Sequence, residues 1–141
     1  MLGISVLFFA LFSVSGVRAV ERAEIIARLQ RDVLVKTSLA RILGRARSYG
    51  LSDEMAVKTV IHAGAEPQTA LYLAITGGYS LEGVVRGAVE SGVEIRAIVK
   101  TALDAGADPL HLARSITALG AQPAEVADML SKETTAMKIL P

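Results

Sequence analysis

The chain of 141 residues contains no cysteine and no tryptophan, and aromatic residues make up only 4% of it. The absence of cysteine excludes disulfide frameworks, cysteine-ligated zinc sites and thiol nucleophiles. All three phenylalanines lie in the N-terminal apolar run, so Tyr49, Tyr72 and Tyr79 carry the remaining benzene rings. Because a base-stacking platform needs several rings, we do not expect nucleic acid to be a partner.

The sequence also lacks an excess of charge and the motifs of catalysis. Its net charge is +1, with 52% hydrophobic and 21% charged residues, which is typical of one folded domain. The two histidines, His62 and His111, do not occupy equivalent places in the repeat described below. No zinc-protease, phosphate-loop or nucleophile-elbow pattern is present. We therefore predict no catalytic residue, metal ligand, cofactor or small-molecule substrate, and we interpret the chain as a non-enzymatic protein.

The N-terminus begins with an uncharged apolar run at residues 2–17. Sixteen helical residues span about 24 Å, which is less than the roughly 30 Å of a bilayer core. The run ends in Val17-Arg18-Ala19, with a small residue where a signal peptidase cleaves. We interpret residues 1–19 as a signal peptide removed after Ala19, which would place the mature protein in the periplasm or outside the cell.

The charge next to this run supports a second interpretation. No lysine or arginine precedes the run, whereas residues 18–47 carry eight basic and three acidic side chains, a net charge of +5. Such a flank favours retention on the cytoplasmic side. Residues 2–17 would then be an uncleaved membrane anchor. A third interpretation is an apolar helix that is buried or covered by a partner.

Beyond the N-terminus, glycine recurs six times at a constant spacing of 14 residues. These glycines are Gly50, Gly64, Gly78, Gly92, Gly106 and Gly120. Counted from each glycine, the sixth, seventh and tenth residues are apolar in every unit, which is the spacing of one buried helix face. Each unit therefore predicts one helix of about 10 or 11 residues followed by a turn of about 3 or 4.

The ends of these helices have matching signals. The polar side chains of Ser52, Ser80 and Asp108 are suited to accept hydrogen bonds at the helix N-caps. Proline is favoured at the first helical position, which is where Pro67, Pro109 and Pro123 lie. Glycine is favoured just after the last turn, where the repeat glycines lie.

The length of the turns decides how consecutive helices run. An 11-residue helix is about 16 Å long, and four extended residues reach at most about 14 Å. The chain cannot return to the start of a parallel neighbour, so successive helices must be antiparallel. We predict an all-α fold, a short α-solenoid built from 28-residue αα-hairpins. Gly83 and Gly87 predict an especially close helix crossing.

We divide the chain into four parts. Residues 1–19 are the signal peptide or anchor. Residues 20–49 form a basic amphipathic helical cap with a degenerate first repeat, and residues 50–132 form the six-unit repeat domain. Residues 133–141 are a C-terminal tail or partial cap, since solenoids need atypical terminal units.

One row of the repeat is a candidate interaction surface. The eighth residues after the first five glycines are Lys58, Tyr72, Arg86, Lys100 and Arg114. Together with Arg41, Arg45 and Arg47 of the basic cap, they could bind a polyanion or an anionic membrane surface. The alternative is a solvated helix face with i, i+4 ion pairs. Those pairs would be Glu54–Lys58, Glu82–Arg86, Arg86–Glu90 and Lys100–Asp104.

The distribution of charge favours association. Residues 50–132 carry ten acidic and six basic side chains, a net charge of −4, after a basic segment of +5. Two copies could therefore associate head to tail, or the basic segment could dock on anionic headgroups. We predict an exported protein-protein interaction or self-assembly module. The alternatives are a membrane-tethered scaffold facing the cytoplasm and a polyanion-binding or anionic-lipid-binding protein.

Overall fold

The computed structural model of the protein describes residues 19–35 and 38–139, and these form eight helices and no strand. Helix α1 spans residues 19–34. The others are α2 (Leu39–Ser48), α3 (Asp53–His62), α4 (Pro67–Thr76), α5 (Leu81–Glu90), α6 (Ile95–Asp104), α7 (Pro109–Thr117) and α8 (Pro123–Ile139). The predicted all-α fold is confirmed. The predictions for the apolar run at residues 2–17 lie outside the described residues.

The glycine of each unit ends a helix, as the spacing predicts. All six have φ between +79° and +102°, in the left-handed region. At Gly106 the backbone N–H donates to Leu103 O (2.9 Å), and the N–H of Ala107 donates to Ala102 O (2.9 Å). This pair of bonds is the Schellman motif, which satisfies carbonyls that the helix end leaves unpaired. It recurs at Gly50, Gly64, Gly78 and Gly92.

The predicted N-caps are confirmed at three helices. Ser52, Ser80 and Asp108 accept hydrogen bonds from backbone N–H groups in the first turns of α3, α5 and α7. Glu66 is a cap that the sequence analysis did not predict: its carboxylate accepts from the N–H groups of Gln68 (3.0 Å) and Thr69 (2.6 Å). The hydroxyl of Thr69 donates to the same carboxylate, and mainly for this reason the pKa of Glu66 is lowered.

The antiparallel helices stack in two layers. Odd-numbered helices α3, α5 and α7 pack on one another, α2, α4, α6 and α8 form the second layer, and hairpin neighbours join the layers. The sixth residue of every unit is fully buried. These residues are Ala56, Ala70, Val84, Ile98, Leu112 and Val126. The α-solenoid with a 28-residue hairpin unit is therefore confirmed.

The closest packing lies between α3 and α5. A Cβ atom added at Gly87 would lie 2.6 Å from the carbonyl oxygen of Glu54, and one at Gly83 would lie 2.9 Å from Asp53 Cβ. Only a hydrogen at these two positions lets the helix backbones approach so closely. The predicted close crossing is confirmed.

The two ends of the stack depart from the repeat. At the N-terminal end, α1 buries Leu29 completely and packs Ile25 and Val33 against the core. At the other end α8 has 17 residues, because Thr134 stands where a seventh glycine would end it. The predicted tail or partial cap is therefore helical over residues 133–139. Within the described ranges, no helix combines the length and the apolar character needed to cross a bilayer.

Candidate interaction surfaces

Three of the four basic residues of the repeat row lie in ion pairs with carboxylates. Lys58 Nζ is 3.0 Å from Glu90 Oε2, and this hydrogen bond is the main reason why the pKa of Glu90 is lowered. Arg86 lies between Glu54 (3.9 Å) and Glu82 (3.3 Å). Two of these three pairs join α3 to α5. They connect side chains about one 28-residue unit apart, which stacking brings together.

The other three residues of the row make fewer polar contacts with neighbouring helices. Lys100 pairs with Asp104 of the same helix at 3.7 Å. Tyr72 is 44% exposed. Arg114 is exposed and makes no ion pair within the described part of the chain. Of the i, i+4 pairs in the alternative interpretation, Glu82–Arg86 and Lys100–Asp104 are present, whereas Lys58 contacts a carboxylate on the neighbouring helix.

The basic residues of α2 do not all belong to one surface. Arg41 and Arg45 are one turn apart on an exposed side of α2, and Arg45 pairs with Asp32 of α1 at 2.8 Å. Arg47 points elsewhere, toward the joint between α3 and the α4–α5 turn. Its guanidinium donates to Gly78 O (2.8 Å) and lies 3.4 Å from Asp53 Oδ1.

Arg47 belongs to a polar cluster that we call the Arg47 clamp, formed by Arg47, Asp53, Tyr79 and Ser80. The guanidinium carbon lies 4.4 Å from the centroid of the Tyr79 ring, a cation–π geometry. The Tyr79 hydroxyl donates to the carbonyl of Leu43, and Asp53 accepts from the N–H of Ser80 at 2.7 Å. The clamp ties α2 and α3 to the turn before α5, so Arg47 has a structural role.

The sequence offered one signal for this clamp. Tyr79 is the only aromatic residue at the first position after a repeat glycine, where the other units have Leu, Val or Ala. A buried tyrosine needs a hydrogen-bond partner for its hydroxyl. Nothing in the linear pattern, however, shows that the partner lies on α2.

We expect Tyr79→Phe to destabilise the protein by about 1 kcal/mol at neutral pH, since the hydrogen bond to Leu43 is lost while the ring remains. Burial raises the pKa of Tyr79, and Asp53 adds to the increase against the opposing effect of Arg47. A raised pKa means that the fold favours the neutral phenol. Its contribution is present below the unfolded pKa near 10 and is lost as the pH rises through the higher folded value.

Urea unfolding of both proteins between neutral pH and about pH 11 measures this difference. The difference in the free energy of unfolding between the original protein and Tyr79→Phe should become smaller at alkaline pH. A gap that stays constant with pH would contradict the role assigned to the phenol.

A cleft of about 230 Å³ lies between the first turns of α3 and α5. Its polar groups satisfy one another: the serines cap the two helices, Asp53 accepts from Ser80, and Arg86 pairs with Glu54 and Glu82. Within the described residues no buried polar side-chain atom lacks a partner, and no cluster of three or more acidic or histidine side chains could hold a metal ion. The polar groups that line the cleft are therefore engaged with one another.

The last two helices expose a different kind of surface. Inside the stack, the seventh residue of each unit is fully buried. These residues are Val57, Leu71, Val85 and Val99. On α3 this residue faces the helix two further along the chain, because a Cβ atom added at Gly87 of α5 would lie 3.2 Å from Val57 Cβ. In the last two units, with no further helix among the described residues to cover them, Ala113 is partly exposed and Ala127 is exposed.

We call this surface the C-terminal end face. It consists of the third, fourth, seventh and eleventh residues of the last two units, which are Pro109, Leu110, Ala113, Thr117, Pro123, Ala124, Ala127 and Ser131. None of them is charged. At the fourth position the inner units carry Glu54, Gln68, Glu82 and Arg96, whereas α7 has Leu110, which is 59% exposed, and α8 has Ala124.

No family model, curated protein or solved structure matches the chain. Its function therefore has to be inferred from its own surfaces.

Proposed function

We propose that the protein is an exported, non-enzymatic module for protein-protein interaction or self-assembly. The observation that carries this proposal is the uncharged C-terminal end face. A solenoid that ends in solvent needs a terminal unit with a polar outer face to keep it soluble. Here the polar residue of the inner units is replaced by Leu110 and Ala124 on the terminal helices. A protein surface that covers this face would remove its apolar side chains from water.

The other proposals have less support from the described residues. Binding of a polyanion along the repeat row would require Lys58, Arg86 and Lys100 to exchange the carboxylates that they already contact. Within the described part of the chain, only Arg41 of the three candidate residues on α2 is free to bind anionic headgroups, because Arg45 and Arg47 are engaged in ion pairs. A membrane-tethered scaffold depends on residues 2–17, outside the described residues.

The protein isolated from its own source under gentle conditions tests the proposal. We expect it to be recovered in a complex, either with itself or with another protein, in native mass spectrometry. The same sample reports processing, because an exported mature chain would begin at Val20. Recovery as a bare monomer after cross-linking in intact cells would contradict a role in protein interaction.

A further inference from the structure

We infer that the C-terminal end face is the contact surface of a two-fold homodimer, in which α7 and α8 of one copy pack against α7 and α8 of a second copy. This inference rests on the proposed function and names the partner. In such a contact each copy presents the same surface, so the surface must be compatible with itself. An uncharged face meets that condition, because pairing it with itself brings no like charges together.

The N-terminal end of the stack does not fit this face. Its exposed side chains include Arg28, Arg31 and Arg41. No ion pair involving these three is found within the described part of the chain, and Arg45 has its carboxylate partner within α1. A head-to-tail contact would remove several guanidinium groups from water against a surface that offers no carboxylate. Such uncompensated desolvation opposes binding.

The shape of the face also suits a helix-on-helix contact. Inside the stack the same positions contact the helix two further along the chain. On α3, for example, Glu54 and Val57 lie against Gly87 of α5. On α8 the residues at these positions are small, so a second helix can approach closely. A two-fold dimer would thus extend the stacking by helices of another copy.

The size of the face predicts a weak dimer. The face occupies the nine residues of α7 and the first nine residues of α8, which end at Ser131. With about 1.5 Å of length per residue and about 10 Å of width per helix, the face covers about 270 Å² on each copy. Stable complexes bury about 800 Å² per partner, so we expect a dissociation constant on the order of micromolar.

Sedimentation velocity of the purified mature chain, which begins at Val20, tests the inference over about two decades of concentration around this value. We expect a reversible monomer–dimer equilibrium with no larger species. Leu110→Glu and Ala127→Glu should each weaken the dimer at least about tenfold, because symmetry buries the new carboxylate twice. Leu110→Glu restores the kind of residue found in the inner units, and an acidic residue in the first turn of α7 is favourable to folding.

Ala136→Glu is the matched control. Ala136 is also exposed and lies nine residues from Ala127, on the opposite side of α8 at 3.6 residues per turn. This variant adds one negative charge, as the two end-face variants do, and it should dimerise like the original chain. Circular dichroism of all three variants should show unchanged helicity, which separates loss of contact from loss of fold.

Three results would overturn the inference. The original chain could be a monomer at every concentration, the end-face variants could dimerise as tightly as the original, or a salt-sensitive series of larger species could indicate head-to-tail contacts. If the purified chain is a monomer but the native complex contains another protein, the dimer is excluded and the proposed function stands. If both samples are monomeric, both proposals fail.

Discussion

Gly87→Ala should destabilise the protein by about 2 kcal/mol and lower its Tm by roughly 10 °C. The added methyl carbon would lie 2.6 Å from Glu54 O and 3.2 Å from Val57 Cβ. The first of these atoms belongs to a helix backbone and cannot turn aside as a flexible side chain can. Helices α3 and α5 must therefore separate, and the buried contacts along their whole interface loosen with them.

Gly44→Ala provides the control for this substitution. Gly44 also lies inside a helix, but its added Cβ would meet nothing within 4 Å. Here the intrinsic preference of alanine for the helix acts alone, and we expect a gain of about 0.5–1 kcal/mol. Thermal and urea unfolding of the two variants should move in opposite directions. A stabilising Gly87→Ala would mean that the two helices are not in close contact.

The local features of the fold could be predicted from sequence because short-range rules decide them. A glycine every 14 residues sets the helix ends, and serine or aspartate after it supplies the caps. The turn length then requires antiparallel neighbours. The cap at Glu66 was missed because glutamate is an uncommon N-cap. The extension of α8 had a visible signal in Thr134, which replaces the expected glycine.

The surfaces were harder to predict because they depend on which helices become neighbours. Linear spacing suggested that Lys58 would pair with Glu54, but in the structure it contacts Glu90 on α5. The pattern could not separate the sixth residue of each unit from the seventh, since both are apolar. The structure does: in the last two units the sixth residue stays buried, whereas the seventh is partly exposed in α7 and exposed in α8. Only this distinction shows that Ala113 and Ala127 belong to an open end.

Gly106→Val should destabilise the protein by about 2 kcal/mol for a reason different from that of Gly87→Ala. Gly106 has φ of +88°, and its added Cβ would meet nothing within 4 Å. No neighbour is displaced, so the cost is that of a β-branched residue in the left-handed region. The Schellman bonds of Gly106 and Ala107 to the end of α6 would weaken as the backbone relaxes.

Gly106→Asn separates backbone conformation from side-chain size. Asparagine is larger than glycine but adopts the left-handed conformation more readily than other residues, so we expect it to cost less than half as much as valine. Urea unfolding of the two variants measures the difference. Equal losses of stability in the two variants would mean that the size of the side chain, and not the backbone conformation, causes the destabilisation. An unaffected Gly106→Val would mean that the positive φ does not end α6, and the 14-residue period would then need another physical cause.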